Sequence, residues 1–150
     1  MIETKGNIRV VILTPYKRLL DLSGVTELFL PTESGVIEVL PGHAPMVAGV
    51  GIGVVAYSHN ELIGFFKVAG GVADITNSLV NLLVDVGEDA AQIDIERAKK
   101  SLERAQNRLL IKTSKNIDIK RAEASYARAL ARTEASELHL GKNPYNEKSK

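Results

Sequence analysis

Up to about residue 87 the apolar positions fall in short, β-branched runs divided by glycine, proline and polar pairs, the spacing of strands rather than of helices. These runs predict strands over 8–13, 19–22, 25–30, 36–40, 53–57, 62–69, 72–75 and 79–86. No interval between them is long enough for a crossover helix, so the pairing is expected to be mainly antiparallel, in a sandwich or flattened barrel. Along 79–86, Leu79, Asn81, Leu83 and Asp85 share one face and Val80, Leu82, Val84 and Val86 the other. The second face is expected to point inward.

From Asp94 the period becomes helical, with Ile95, Ala98, Leu102, Ala105 and Leu109 recurring at three- and four-residue steps. Asp94 suits the N-cap, its carboxylate accepting a free amide of the first turn, and Ile93 is placed to staple onto Ala98. The run Ile117-Asp118-Ile119-Lys120-Arg121-Ala122 nearly duplicates residues 93–98, which predicts a second helix after a turn over 113–116. Its apolar stripe is Ile119, Ala122, Tyr126, Ala129 and Thr133, and Gly141 followed by Pro144 ends it. The expected fold class is α+β, an N-terminal antiparallel β-sandwich over 1–89 followed by a C-terminal α-helical hairpin over 90–141. A polar tail over 142–150 completes the chain.

The seam of that hairpin is mainly alanine. A buried leucine contributes roughly 1.5 to 3 kcal/mol and alanine much less, so the pair is expected to close tightly but with modest energy. That predicts a detachable hairpin, against the plainer expectation of a pair that stays docked.

Charge divides the chain the same way. Residues 1–90 hold 5 Lys/Arg against 10 Asp/Glu, a net −5, and residues 91–150 hold 14 against 8, a net +6. A basic arm after an acidic body suits an acidic protein surface, a nucleic acid, a polyphosphate or simply a solvated helix face. Arg97, Arg104 and Arg108 on the first helix, and Arg128 and Arg132 one turn apart on the second, are spaced to converge. Guanidinium forks match phosphate oxygens, so several together would offset a triphosphate's charge. Against that, Glu96, Glu103 and Glu123 are close enough to pair with these arginines as ordinary helix charges.

Other chemistry is sparsely represented. The chain has no cysteine, which excludes disulfides and thiolate sites, and His43, His59 and His139 lack metal-ligand spacing, so no metal is expected. The pattern Gly51-x-Gly53-x-x-Ala56 continues as a strand, without the helix a dinucleotide fingerprint needs. No Walker loop, nucleophile elbow or triad is present, so no catalytic residue and no enzyme activity are expected. The longest apolar stretch, 46–57, is broken by Gly49, Gly51 and Gly53 and is too short for a membrane helix. The first residues lack a signal-peptide pattern, so the chain is expected to remain where it is made.

The stretch Pro31-Thr32-Glu33-Ser34-Gly35-Val36-Ile37-Glu38-Val39-Leu40-Pro41-Gly42-His43-Ala44-Pro45 closely resembles the glycine-containing strand and Pro-Gly-His-Ala-Pro loop of F-type ATP synthase epsilon subunits. Val68-Ala69-Gly70-Gly71-Val72-Ala73-Asp74-Ile75 resembles that family's paired-glycine connection, and 80–85 its next strand. With the hairpin, the resemblance covers about residues 5–138.

It implies a non-catalytic rotor part between the gamma subunit and the c-ring, peripheral on the cytoplasmic face of the inner membrane, without inserting into it. Glu33, Glu38, Pro41, Gly42 and His43 fall on the implied rotor interface. Some members carry an acidic residue directly after the glycine here numbered 35. This chain has Val36, so a charged ring contact falls to Glu33 or Glu38 or is absent.

Ile93-Asp94-Ile95-Glu96-Arg97-Ala98 is similar to the Ile/Leu-Asp-x-x-Arg-Ala motif of epsilon subunits that bind ATP as a regulatory ligand. The resemblance carries a nucleotide site onto Glu88, Ile93, Asp94, Arg97, Ala98, Arg104, Arg128 and Arg132, but not onto Arg108 or Arg121. No cofactor is required. The hairpin is implied to lie folded with ATP bound and to extend toward the catalytic alpha and beta subunits without it. Two other functions fit parts of the pattern. One is a nucleic-acid-binding protein, weakened by a hairpin with a single aromatic, Tyr126, for stacking. The other is a free-standing ATP sensor.

Overall fold

Glycine and strand parity shape the first part of the chain. The computed structural model describes residues 7–111 and 118–141, so the expected turn at 113–116, the chain start, Ile117, Pro144 and the tail at 142–150 lie outside the described residues. The strands are β1 (Ile8–Leu13), β2 (Arg18–Thr32), β3 (Gly35–Val39), β4 (Met46–Gly49), β5 (Ile52–His59), β6 (Leu62–Ile75) and β7 (Leu79–Asp89). A 3-10 turn (Ala90–Gln92) leads to α1 (Ile95–Leu110) and α2 (Ile119–His139).

The strand order is β1-β7-β6-β5-β2-β3, with β4 added to β6, and β1 also pairs with β2, which closes the sheet on itself. Every pairing is antiparallel except β1 with β7, which is parallel. That exception follows because β1 and β7 are joined through the whole sandwich rather than through a hairpin.

Four expected strands are in fact two. Segments 19–22 and 25–30 are one strand, β2, bent at Gly24, whose φ is +83°. Segments 62–69 and 72–75 are likewise one strand, β6, bent at Gly70 and Gly71 with φ of +73° and +123°. Each bend lets a single strand serve both layers. The first half of β6 pairs with β5 and its second half with β4. The short β4 is an addition to the expected set, cut from the apolar stretch that Gly49 and Gly51 interrupt.

The bend also inverts side-chain parity. Phe66 and Val68 point into the core before it, and Ala73 and Ile75 after it. Val84 lies opposite Gly71 and Val86 opposite Ala69, so β7 inverts at the same place. Val80, Leu82 and Val84 are therefore buried as expected, whereas Val86 is 45% exposed. Strict alternation carried across the bend put Val86 on the wrong side.

Two apolar clusters result. The larger fills the sandwich, with Ile8, Ile12, Leu28, Leu30, Phe66 and Leu82 among its members. Removing a side chain there, as in Leu28→Ala, is expected to cost about 2 to 5 kcal/mol, read as a lowered midpoint in urea unfolding. The smaller cluster joins Ala56 and Phe65 on the outer face of the sheet to Ala90, Ile93, Ala98 and Ala135. In the structure α2 lies on β5 and β6, and α1 packs on α2.

The hairpin seam is as small as its sequence suggested, since the buried residues of α1 are Ala98 and Ala105. Those of α2 are Ala122, Ala131, Thr133, Ala135 and Ser136. Ile119 departs from the expected stripe and is exposed, at the first turn of α2.

Candidate functional site

The start of α1 shows what its motif does locally. Asp94 Oδ1 accepts the Arg97 amide at 3.2 Å, while Ile93 and Ala98 are buried in the smaller cluster. Cap and staple thus fix the angle at which the helix leaves the sheet. Asp118 Oδ1 accepts the Arg121 amide in the same way at the start of α2. One oxygen of the Asp94 carboxylate is thus engaged by the backbone, and the side chains of Ile93 and Ala98 are apolar.

Charge gathers instead where α2 crosses the sheet. Glu88 on β7 is the cross-strand partner of Lys67 on β6, and both side chains stand on the outer face. Arg132 Nε donates to Glu88 Oε2 at 3.1 Å, and Lys67 Nζ lies 3.8 Å from Glu88 Oε1. One carboxylate on the sandwich is thereby shared between a strand cation and a helix cation. Arg128, one turn before Arg132, adds its charge to the same place.

Lys67 is only 4% exposed. Burial holds its ammonium pKa below the usual lysine range, Glu88 opposes that shift, and the charges of Arg128 and Arg132 add to it. Beside Glu88 opens a cleft of about 350 Å³ lined by Lys17, Arg18, Leu19, Phe66, Gly87, Asp89 and Gln92.

Of the residues expected at the nucleotide site, the structure gathers Glu88, Arg128 and Arg132. Ile93, Asp94 and Ala98 surround the start of α1, next to the 3-10 turn. Arg97 and Arg104 form no ion pair with the Glu88 cluster. Arg97 is exposed, and Arg104 donates to Ser101 Oγ at 3.1 Å, one turn back on its own helix. Sequence reasoning passed over Lys67. Its signal was available: Lys67 is the single lysine or arginine between Arg18 and Arg97, and it interrupts the apolar run Phe65-Phe66-Lys67-Val68-Ala69.

The residues expected at a rotor interface fall at two ends of one edge strand. Leu40 to His43 form a tight turn with His43 N donating to Leu40 O at 3.2 Å. Pro41 and Gly42, the latter at φ +84°, fill its two central positions as a type II turn requires. The Gly42 amide also donates to Asn77 O at 2.8 Å, which ties the loop to the β6–β7 connection. Glu33 lies before β3 with its carboxylate against Gly49, and Glu38 is exposed on β3 itself. Five strand residues, roughly 17 Å at 3.3 to 3.4 Å each, separate the Glu33 turn from the proline loop. A contact using all five residues would run along the open edge of β3.

Comparison with known proteins accounts for both parts of the chain. Residues 7–90 match the family model described as ATP synthase, Delta/Epsilon chain, beta-sandwich domain, and residues 91–137 match its long alpha-helix domain. The chain is 37% identical over 131 residues to the ATP synthase epsilon chain of Desulforamulus reducens, covering 86% of this chain and 96% of that one. It is 33% identical over 131 residues to the epsilon chain of Symbiobacterium thermophilum, covering 87% and 94%. Among solved structures, a chain of the Euglena gracilis mitochondrial ATP synthase shares the fold with a TM-score of 0.74 at 19% identity, covering 90% of this chain and 82% of that one.

Proposed function

Because the chain belongs to the ATP synthase delta/epsilon family, as a non-catalytic epsilon subunit, we propose that it works as a rotor part whose hairpin regulates ATP hydrolysis. The sandwich is the anchored portion, held by the gamma subunit and the c-ring at the cytoplasmic side of the membrane. Among the described residues no helix is long and apolar enough to cross a bilayer, which is in keeping with peripheral attachment. The proline loop and the edge of β3 are the proposed ring-side contacts.

The observation that carries the regulatory part is the Glu88–Arg132 pair. Glu88 belongs to the sandwich and Arg132 to the hairpin, so a ligand that engages either one changes how firmly the two are joined. The alanine seam adds little apolar area, which leaves the charged contacts a large share in deciding whether the hairpin stays down.

We propose ATP as that ligand, with Arg128 and Arg132 meeting the phosphates and the cleft beside Glu88 admitting part of the nucleoside. Bound ATP supplies negative charge and no chemistry. Binding only to the docked form would favour docking by about 2.7 kcal/mol at a hundredfold excess over Kd. Without it, the hairpin would release toward the alpha and beta subunits and oppose hydrolysis there.

Isothermal titration of ATP into the full chain tests this directly. Saturable binding is expected, and Arg128→Ala is expected to weaken it by about 1.5 to 3 kcal/mol, the usual worth of a charged hydrogen bond. Absence of heat with the parent chain would remove nucleotide sensing while leaving the rotor assignment in place. Co-purification with the remaining synthase subunits tests that assignment separately.

A further inference from the structure

We propose that Lys67 is the buried cation of a polyphosphate seat at the seam between sandwich and hairpin, completing with Arg128 and Arg132 a site in which Glu88 is a displaceable placeholder. The proposal rests on the nucleotide site above and deepens it. It adds a binding residue from the sheet and names the phosphate chain as the recognised group.

The charge balance is the first ground. Lys67 and Arg132 share one carboxylate, Glu88, the exposed Arg128 adds its charge from one turn away, and Lys67 itself is almost fully buried. Cations crowded together away from water repel one another and call for an anion. A lone ion-pair latch would need one cation against Glu88, and the seam holds two more than that.

Unused donors are the second ground. Among the described residues, the Arg132 guanidinium gives Glu88 only its Nε–H, so its two terminal nitrogens remain for a ligand. Arg128 makes no side-chain hydrogen bond or ion pair there. A guanidinium fork and an ammonium point charge are complementary phosphate binders, the one fixing geometry and the other supplying charge.

Position is the third. Lys67 and Glu88 are paired across two central strands, so the ammonium is fixed to the sheet, whereas both arginines ride on the helix. When Arg132 turns from Glu88 to a phosphate, Lys67 remains to compensate the carboxylate, which would otherwise repel the incoming anion. The sheet thus keeps one cation fixed while the hairpin brings two more, and the phosphate chain bridges the parts.

The test uses the full chain with three probes, ATP, tripolyphosphate and inorganic phosphate, together with thermal unfolding. Lys67→Met keeps the length of the side chain and removes its charge. It is expected to weaken ATP and tripolyphosphate about ten- to hundredfold, without lowering the unfolding midpoint of the ligand-free protein. Lys67→Arg is expected to bind both within a few fold of the parent. Inorganic phosphate is expected to bind far more weakly than tripolyphosphate, since it cannot reach all three cations.

Unchanged ATP affinity in Lys67→Met, with Arg128→Ala impaired, overturns the role of Lys67 and leaves nucleotide sensing standing. Tripolyphosphate binding without ATP binding does the reverse. A parent chain that binds neither probe overturns both. A Lys67→Met midpoint well below that of the parent, with Lys67→Arg normal in stability but no better than Lys67→Met in binding, makes the lysine a structural latch and overturns the seat.

Discussion

Gly71→Val is expected to abolish the cooperative unfolding transition of the sandwich at ordinary temperatures. A Cβ at this position would sit 2.1 Å from Leu83 O and 2.7 Å from Val84 Cα, both backbone atoms of the neighbouring strand, which no side-chain rotation relieves. The φ of +123° is in addition a conformation that glycine alone adopts readily. Together these are expected to cost more than about 4 kcal/mol, against a total stability of about 5 to 15 kcal/mol for a domain of this kind. The same bend joins both layers of the sheet, so relaxation at Gly71 is transmitted to each. Circular dichroism during heating checks the expectation, and a sharp transition within a few degrees of the parent would count decisively against it.

Ala135→Glu is expected to release the hairpin and leave the sandwich folded. Ala135 is fully buried between α2 and the sheet, alongside Phe65 and Ala56, in a cluster of apolar side chains. An unpaired buried charge costs several kcal/mol, and the alanine contacts around it are too small to absorb that. The sandwich keeps its own core of Ile8, Leu28, Phe66 and Leu82, in which the hairpin has no member. Limited trypsin digestion should therefore cut at Arg97, Arg104 and Arg128 far faster than in the parent, while residues before the 3-10 turn survive. Equal protection of the helices in both proteins would show that the hairpin is held by more than its visible seam. ATP binding, if Arg128 and Arg132 carry it, should disappear with the docking.

Much of this arrangement was legible in the residues. β1 matches its expected span, and Asp94 and Asp118 cap their helices as their positions before apolar stripes indicated. The alanine seam and the inward face of Val80, Leu82 and Val84 followed from periodicity alone. The failures share a physical cause. A glycine that bends a strand leaves the same gap in the apolar pattern as one that ends it, so the pattern at Gly24 and at Gly70-Gly71 reads as a strand end. Parity cannot be carried through such a bend, which is why Val86 was misplaced.

The charged cluster was half visible. Glu88, Arg128 and Arg132 were named on motif and helical spacing, but their meeting depends on which face of α2 lies on the sheet. Helical spacing identifies the stripe toward α1 more readily than the second stripe of Ala131 and Ala135 that faces β5 and β6. Lys67 was missed because one lysine in an apolar strand has no periodicity of its own. Its meaning comes from the register that sets it across from Glu88.

The bend in β6 has one more result. Eight residues of unbroken backbone run from Phe65, beneath the helices, to Val72, which lies uncovered on the opposite layer near Val47 and Leu83. Whatever grips that far side holds one end of a beam whose other end forms the floor under the hairpin.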